Sequence, residues 1–130
     1  MRLTVRLALD TLCGIEELKT ELGKEELNIG LNLTNGFVIN QAFYDTQDID
    51  WEKVFLSPMK FDNSIEVNPA STRNNLNLQE DVVEGISELK LVFPKVINKL
   101  RPANPIKYVT TGYVVRMLIK GSLMKRRGLI

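Results

Sequence analysis

Residues Leu78–Leu100 read LQEDVVEGISELKLVFPKVINKL, and their spacing decides the fold that we predict for this chain. Apolar side chains recur every three or four residues, which is the period of one face of an α-helix. The sequence therefore predicts a long helix that begins at Leu78 and covers one face of the protein. Its apolar positions are Leu78, Val82, Ile86, Leu89, Phe93, Val96 and Leu100.

The predicted helix has a start signal and an interruption. Asn77 is a candidate N-cap, and Glu80, three residues later, completes a variant of the capping box. Pro94 removes a backbone donor and clashes with the preceding turn of a helix. We therefore expect a kink at Pro94, or a break followed by a second short helix from Pro94 to Leu100.

Upstream of this helix, alternating patterns predict a sheet. Residues 2–9 alternate with a period of two, which indicates a strand with one buried face. Residues 27–33 and 37–44 flank Asn35-Gly36, which predicts a β-hairpin with a bulge at Gly36. The predicted fold class is α+β: an antiparallel sheet that includes the N-terminal strand and the hairpin, packed by one long, kinked helix in the C-terminal half.

Shorter segments complete the prediction. Residues Ile106–Ile119 leave two structures open, because Asn104-Pro105 favours a helix start whereas the following β-branched and aromatic residues favour a strand. We favour a strand with an irregularity at Gly112. Elsewhere the sequence predicts a helix at Ile15–Leu22, a helix over residues 51–55 capped by Asp48 or Asp50, a strand at Met59–Val67 and a loop at 68–75.

Composition predicts one soluble domain over residues 1–130. The chain is 44% hydrophobic and 25% charged, which is ordinary for a globular protein of its length. A single cysteine excludes an internal disulfide. Arg6 and Asp10 interrupt the first apolar stretch, so we expect no signal peptide, and no apolar run is long enough to span a membrane. We expect a cytoplasmic location, or a virion if the protein is viral.

The sequence contains no histidine. This excludes histidine general bases, Ser-His and Cys-His pairs and histidine metal ligands. The carboxylates of Asp45, Asp48 and Asp50 are possible Mg²⁺ ligands, but their spacing misses the EF-hand loop, and turn and cap roles explain them better. We predict a non-enzymatic protein with no catalytic residues, no metal site and no cofactor.

Charge is divided along the chain. Residues 89–130 contain ten Lys or Arg and no Asp or Glu, whereas residues 1–88 contain all 16 acidic residues and seven basic ones. Such asymmetry indicates a polyanionic or acidic partner. We expect residues 121–130 to form a basic C-terminal arm. The candidate nucleic-acid-binding residues are Lys107, Tyr108, Arg116, Lys120, Lys125, Arg126 and Arg127.

Three interpretations of this charge pattern stay open. We favour a non-enzymatic accessory or assembly protein that contacts DNA or RNA non-specifically through its basic C-terminal third. The alternative is a homo-oligomeric structural subunit of a virion or other large particle, which assembles through opposed acidic and basic surfaces. In the third, the acidic and basic parts pack beside each other within one molecule, which leaves surface charge well mixed.

Overall fold

The computed structural model describes residues 1–130 apart from the side chain of residue 71. Its architecture is α+β, with five α-helices and a two-stranded antiparallel sheet in the described chain. None of these helices combines the length and the apolar character needed to cross a bilayer. The elements in chain order are β1 (Arg2–Arg6), α1 (Leu9–Gly23), α2 (Asn35–Asp45), α3 (Trp51–Leu56), β2 (Arg73–Asn77), α4 (Glu80–Leu100) and α5 (Thr111–Arg126), with short 3-10 helices at Glu26–Asn28 and Pro69–Thr72.

The sheet joins the start of the chain to the segment before α4. Arg2 lies opposite Asn77, and Arg6 lies opposite Arg73. The N-terminal strand is confirmed, but it ends at Arg6 because the helix α1 begins at Leu9. Its partner β2 lies partly in the segment predicted as a loop, since RNNLN offers only one apolar side chain to indicate a strand.

The predicted β-hairpin is wrong. Residues Asn35–Asp45 form the helix α2, and the Thr34 side chain caps it by accepting a hydrogen bond from the Phe37 amide across 3.2 Å. Gly36 is required here because a Cβ atom would collide with the Asn77 carbonyl oxygen. Asn35-Gly36 therefore begins a helix that touches β2 instead of turning a hairpin.

The helix α5 is the centre of the fold. It contacts α1, α2, α3 and α4, and residues 117–124 are all buried. The favoured strand over Ile106–Ile119 is therefore wrong, since a helix that is apolar on every side is stable when neighbours surround it. The Thr110 side chain caps α5 through the Tyr113 amide at 3.1 Å. The predicted basic arm at 121–130 is also wrong at its beginning, because residues 121–124 belong to this buried helix.

The helix α4 begins at Glu80, two residues after the predicted start. Asn77 is the last residue of β2 and does not cap the helix, and Gln79 at the N-cap position makes no side-chain capping bond. The helix continues through the buried Pro94 to Leu100, so the predicted break does not occur and the predicted kink is not confirmed.

Among the shorter segments, the helical ones were predicted more accurately than the extended ones. Asp50 caps α3, and its side chain accepts a hydrogen bond from the Glu52 amide at 3.0 Å, as predicted. Ile15–Leu22 lies within the longer α1. The strand predicted at Met59–Val67 is wrong, because this segment is an irregular connection between α3 and the 3-10 helix at Pro69–Thr72 and pairs with neither strand.

Candidate functional site

The basic residues that end α5 contact carboxylates of the same chain. The Arg126 guanidinium donates through Nε to Asp45 Oδ2 at 2.8 Å and through Nη1 to Glu25. Burial lowers the pKa of Arg126, but the hydrogen bonds to Glu25 and Asp45 outweigh this effect and raise the pKa overall. Arg126 is therefore neutralised internally.

Its neighbours on both sides are paired in the same way. Arg127 donates to Glu21 at 2.9 Å and to Glu17 at 3.0 Å, both on α1. Lys125 contacts Asp48 at 2.7 Å, and the hydrogen bond from Lys125 lowers the pKa of Asp48. The three basic residues thus tie the end of α5 to the acidic part of the molecule instead of presenting a free cationic surface.

Two further candidates on α5 have partners within the chain. Arg116 pairs with Asp10 at 2.9 Å, and its guanidinium carbon lies 5.5 Å from the centre of the Phe61 ring. Lys120 is 7% exposed and donates from Nζ to the Ser57 carbonyl at 2.8 Å. Burial, with a smaller contribution from the Arg116 charge, lowers the pKa of Lys120. Lys120 is thus buried against a backbone carbonyl, and the half-buried Arg116 is paired with a carboxylate.

The last two candidates, Lys107 and Tyr108, lie exposed in the connection between α4 and α5. The seven predicted residues therefore do not form one surface. Because Ile106–Ile119 is not a strand, the face that Tyr108, Arg116 and Lys120 would share on a strand does not exist. At the α5 terminus, the acidic and basic parts pack against each other within one molecule.

The carboxylates of the acidic turn, residues 45–50, make contacts that stabilise the fold. Asp45 accepts hydrogen bonds from Arg126 and also from the Ser122 hydroxyl at 2.6 Å, while Asp50 caps α3. Within the described residues, no group of three or more acidic or cysteine side chains is placed to hold a metal ion. The capping contact of Asp50 is one of the roles that the sequence favours for these carboxylates.

An apolar groove opens where α3, the end of α4 and the start of α5 meet. It encloses about 630 Å³, and we refer to it as the α3–α5 groove. Leu56 and Tyr108 are 67% and 76% exposed there, so large apolar surfaces face solvent. Its principal lining residues are Phe55, Leu56, Ile97, Leu100, Tyr108 and Tyr113, together with the cationic Arg101.

Side-chain contacts hold the groove in shape. Asn98 donates to the Ile106 carbonyl and accepts from the Ile106 amide, both at 2.8 Å, which fixes the connection after α4. The rings of Phe55 and Tyr113 are stacked, with centroids 6.3 Å apart. Desolvation raises the pKa of Tyr113 and outweighs the opposing effect of the Arg116 and Arg101 charges. The groove is preformed, which reduces the ordering cost of binding.

An apolar segment projects at another place on the surface. Leu27, Ile29 and Leu31 are 92%, 68% and 58% exposed, and we call residues Leu27–Leu31 the apolar segment. Asn28 anchors it by donating to the Leu22 carbonyl at 2.9 Å. The alternation of these side chains predicted a strand with this face towards the core, but periodicity does not reveal what covers a face.

The groove and the apolar segment lie at opposite ends of α5. Tyr113, in the first turn of α5, lines the groove, whereas Arg126, in its last turn, contacts Glu25 beside the apolar segment. Arg126 follows Tyr113 by 13 positions along the helix, which corresponds to about 20 Å. One molecule therefore presents an apolar projection at one end and an apolar recess at the other.

Comparison with known proteins finds no matching family model, no similar curated protein and no similar solved structure.

Proposed function

We propose that this protein is a non-enzymatic structural subunit that assembles head to tail with further copies of itself. In this assembly the apolar segment of one copy occupies the α3–α5 groove of the next. The observation that carries the proposal is the pairing, on one chain, of an exposed apolar projection with an apolar recess at the other end of α5. Large exposed apolar patches on a folded surface mark interaction sites.

Charge complementarity favours a second copy as the occupant of the groove. Glu25 and Glu26 immediately precede the apolar segment, and Glu26 has no ion-pair partner among the described residues. The groove end carries the exposed cations Arg101 and Lys107, which likewise have no ion pair in the described chain. Opposite charges around two apolar surfaces steer the correct encounter and set its orientation.

The proposed contact uses different surfaces on the two copies. Such a heterologous interface builds a ring if its rotation closes, or an open filament if it does not. This matches a structural subunit of a larger particle, the role that the sequence offers as its alternative. Nucleic-acid contact through the C-terminal third has less support, because Arg116, Lys125, Arg126 and Arg127 already have carboxylate partners.

The test uses two variants that each damage one surface. Leu27→Ser/Ile29→Ser removes the projection, and Leu56→Ser/Tyr108→Ser removes apolar contacts from the groove. All four side chains are exposed, so both variants should retain the wild-type circular dichroism spectrum. We expect wild type to show a mass that increases with concentration in sedimentation equilibrium, and each variant alone to sediment as a monomer.

Mixing the two variants makes the test specific for head-to-tail contact. The first variant keeps an intact groove and the second keeps an intact apolar segment, so an equimolar mixture should form a dimer that grows no further. Leu91→Ser/Val92→Ser, at exposed positions of α4, is the matched control and should assemble like wild type. A wild type that stays monomeric at the highest soluble concentration would overturn the proposal, as would a mixture that shows no heterodimer.

A further inference from the structure

The two-stranded sheet has an outward face that the proposed assembly does not use. Its residues are exposed, and we call this surface the ribbon face. Three of its six side chains are arginines and none is acidic. The ribbon face consists of Arg2, Thr4 and Arg6 on β1 with Arg73, Asn75 and Asn77 on β2.

The arginines of the ribbon face differ from those of α5 in having no internal partner. Within the described residues, no carboxylate forms an ion pair with Arg2, Arg6 or Arg73. Arg6 lies directly opposite Arg73, an arrangement in which like charges destabilise a strand pair. A bound anion would relieve this repulsion, and the planar guanidinium group suits bidentate contact with phosphate.

The surface between the two arginines is recessed. Thr4, Val5, Arg6 and Arg73 line a shallow cleft of about 290 Å³. The Thr4 hydroxyl donates to Asn75 Oδ1 at 2.6 Å, which orients the Asn75 amide group. The Nδ2 amide group of Asn75 has no partner among the described residues, so its N–H groups are available to an acceptor on a ligand.

Both strands are held firmly from behind. Gly112, at the start of α5, is packed against the Arg6 carbonyl, and Gly36, at the start of α2, is packed against the Asn77 carbonyl. Val5 and Leu76 face the core between these contacts. The ribbon face is therefore preorganised, which lowers the entropy lost when a ligand binds.

The dimensions of the ribbon match one kind of polyanion. The major groove of B-DNA is about 12 Å wide and admits a two-stranded ribbon. Arg2 and Arg6 are four residues apart on one strand, which corresponds to about 13 Å. A ribbon seated in this groove would bring Arg2 and Arg6 near the phosphates at the groove margins, with Thr4 and Asn75 between them.

We infer that the ribbon face binds duplex DNA, with the strands seated in the major groove and Arg2, Arg6 and Arg73 on the phosphate backbone. This site is independent of the apolar segment and the α3–α5 groove. It is also separate from the basic C-terminal third, and all its cations come from the half of the sequence in which acidic residues predominate. The cations of α5 have partners within the chain, whereas these three arginines are exposed and form no ion pair among the described residues.

The experiment measures fluorescence anisotropy of a short labelled DNA duplex between about 50 and 200 mM salt. The Leu27→Ser/Ile29→Ser variant serves as the background, so that a failure of the assembly proposal does not affect the result. We expect affinity to fall steeply with salt. Arg6→Ala/Arg73→Ala should weaken binding at least tenfold and reduce the slope of log affinity against log salt by about 2.

The matched control is Lys90→Ala/Lys95→Ala, which removes the same charge from exposed positions of α4 and should change affinity less than about twofold. Removing the Arg6 and Arg73 side chains also relieves a repulsion, so a thermal melt should show no loss of stability. Equal losses in the two double variants would overturn the ribbon-face site, as would undetectable DNA binding at the lowest salt.

Binding of three other polyanions, measured in the same way, tests whether the ribbon face selects duplex DNA. Duplex RNA has a deep, narrow major groove that the ribbon cannot enter, so it should bind more weakly than DNA. Single-stranded DNA lacks the groove and should also bind more weakly. Polyglutamate presents carboxylates without phosphates and should not compete. A preference for any of these three over duplex DNA would overturn the proposal.

Discussion

Arg126 and Asp45 join the most basic part of the chain to the most acidic turn, with 2.8 Å between Nε and Oδ2. Both side chains are largely buried, at 20% and 16% exposed, and Asp45 also accepts from the Ser122 hydroxyl. The contact holds the last turn of α5 to the last residue of α2. Charges that are segregated along the sequence are thus paired in space.

Removing the carboxylate at this contact should destabilise the protein. Asp45→Ala leaves Arg126 with Glu25 as its carboxylate partner but leaves its Nε and the Ser122 hydroxyl without an acceptor, and an unsatisfied donor in a largely buried position costs about 1–3 kcal/mol. Urea unfolding followed by circular dichroism measures the loss. Asp48→Ala is the control, because the Asp48 side chain is 75% exposed and its pair with Lys125 is screened by water. Similar losses from both substitutions would contradict the special role of Asp45.

The approach of α5 to β1 gives a second prediction. A Cβ atom at Gly112 would collide with the Arg6 carbonyl oxygen, which is backbone and cannot turn away. We expect Gly112→Ala to reduce the free energy of unfolding by about 1–3 kcal/mol, the usual cost of overpacking.

The matched control for Gly112 is Gly23, the last residue of α1. No heavy atom of another part of the protein lies within 4 Å of a Cβ built there. Gly23→Ala should therefore stabilise the protein by about 0.5 kcal/mol, because alanine restricts the unfolded chain. Thermal unfolding of the two variants measures both effects. Two shifts of the same sign would contradict the predicted contact between Gly112 and β1.

Lys120 predicts a dependence of stability on alkaline pH. Its pKa is lowered in the folded protein, chiefly by burial, so between that lowered value and about 10.4 the unfolded chain binds more protons than the folded one. Stability from this residue therefore rises with pH through that window. Compared with a Lys120→Met variant, wild type should gain free energy of unfolding as the pH approaches 10.4.

Comparing the two proteins isolates Lys120 from the tyrosines. The pKa of Tyr44 and that of Tyr113 are raised, mainly by desolvation. Ionisation of these two tyrosines therefore lowers the free energy of unfolding as the pH rises above 10. They are present in both proteins and cancel in the difference. Urea titrations across the alkaline range give that difference, and a value that stays constant with pH would contradict the buried environment of Lys120.

Local signals in the sequence predicted part of this fold correctly. Asp50 caps α3 because its carboxylate needs only the Glu52 amide two residues away. The stripe that contains Val82, Ile86 and Phe93 is buried as predicted, because helical spacing alone places these side chains on one face. Each of these features depends on residues within a few turns of one another.

Other features depended on residues far apart in the chain. Val114 and Val115 have side chains that favour strands, yet both lie in α5, because neighbours on all sides of a central helix outweigh intrinsic propensity. Residues 37–44 follow Asn35-Gly36 and were predicted as the second strand of a hairpin, yet they lie in a helix that packs against α5. Neither outcome is visible from a pattern confined to a single segment.

By itself, the sequence determined the α+β class, the absence of histidine chemistry and the helical stripe that became α4. The tertiary structure decided which cations stay free and which apolar side chains stay exposed. The physical reason is that pairing and burial are relations between distant residues: Arg126 meets Asp45 across 81 positions. Arg6 lies opposite Arg73 across the sheet, which makes the ribbon face an exposed cationic surface that a count of charges along the chain concealed.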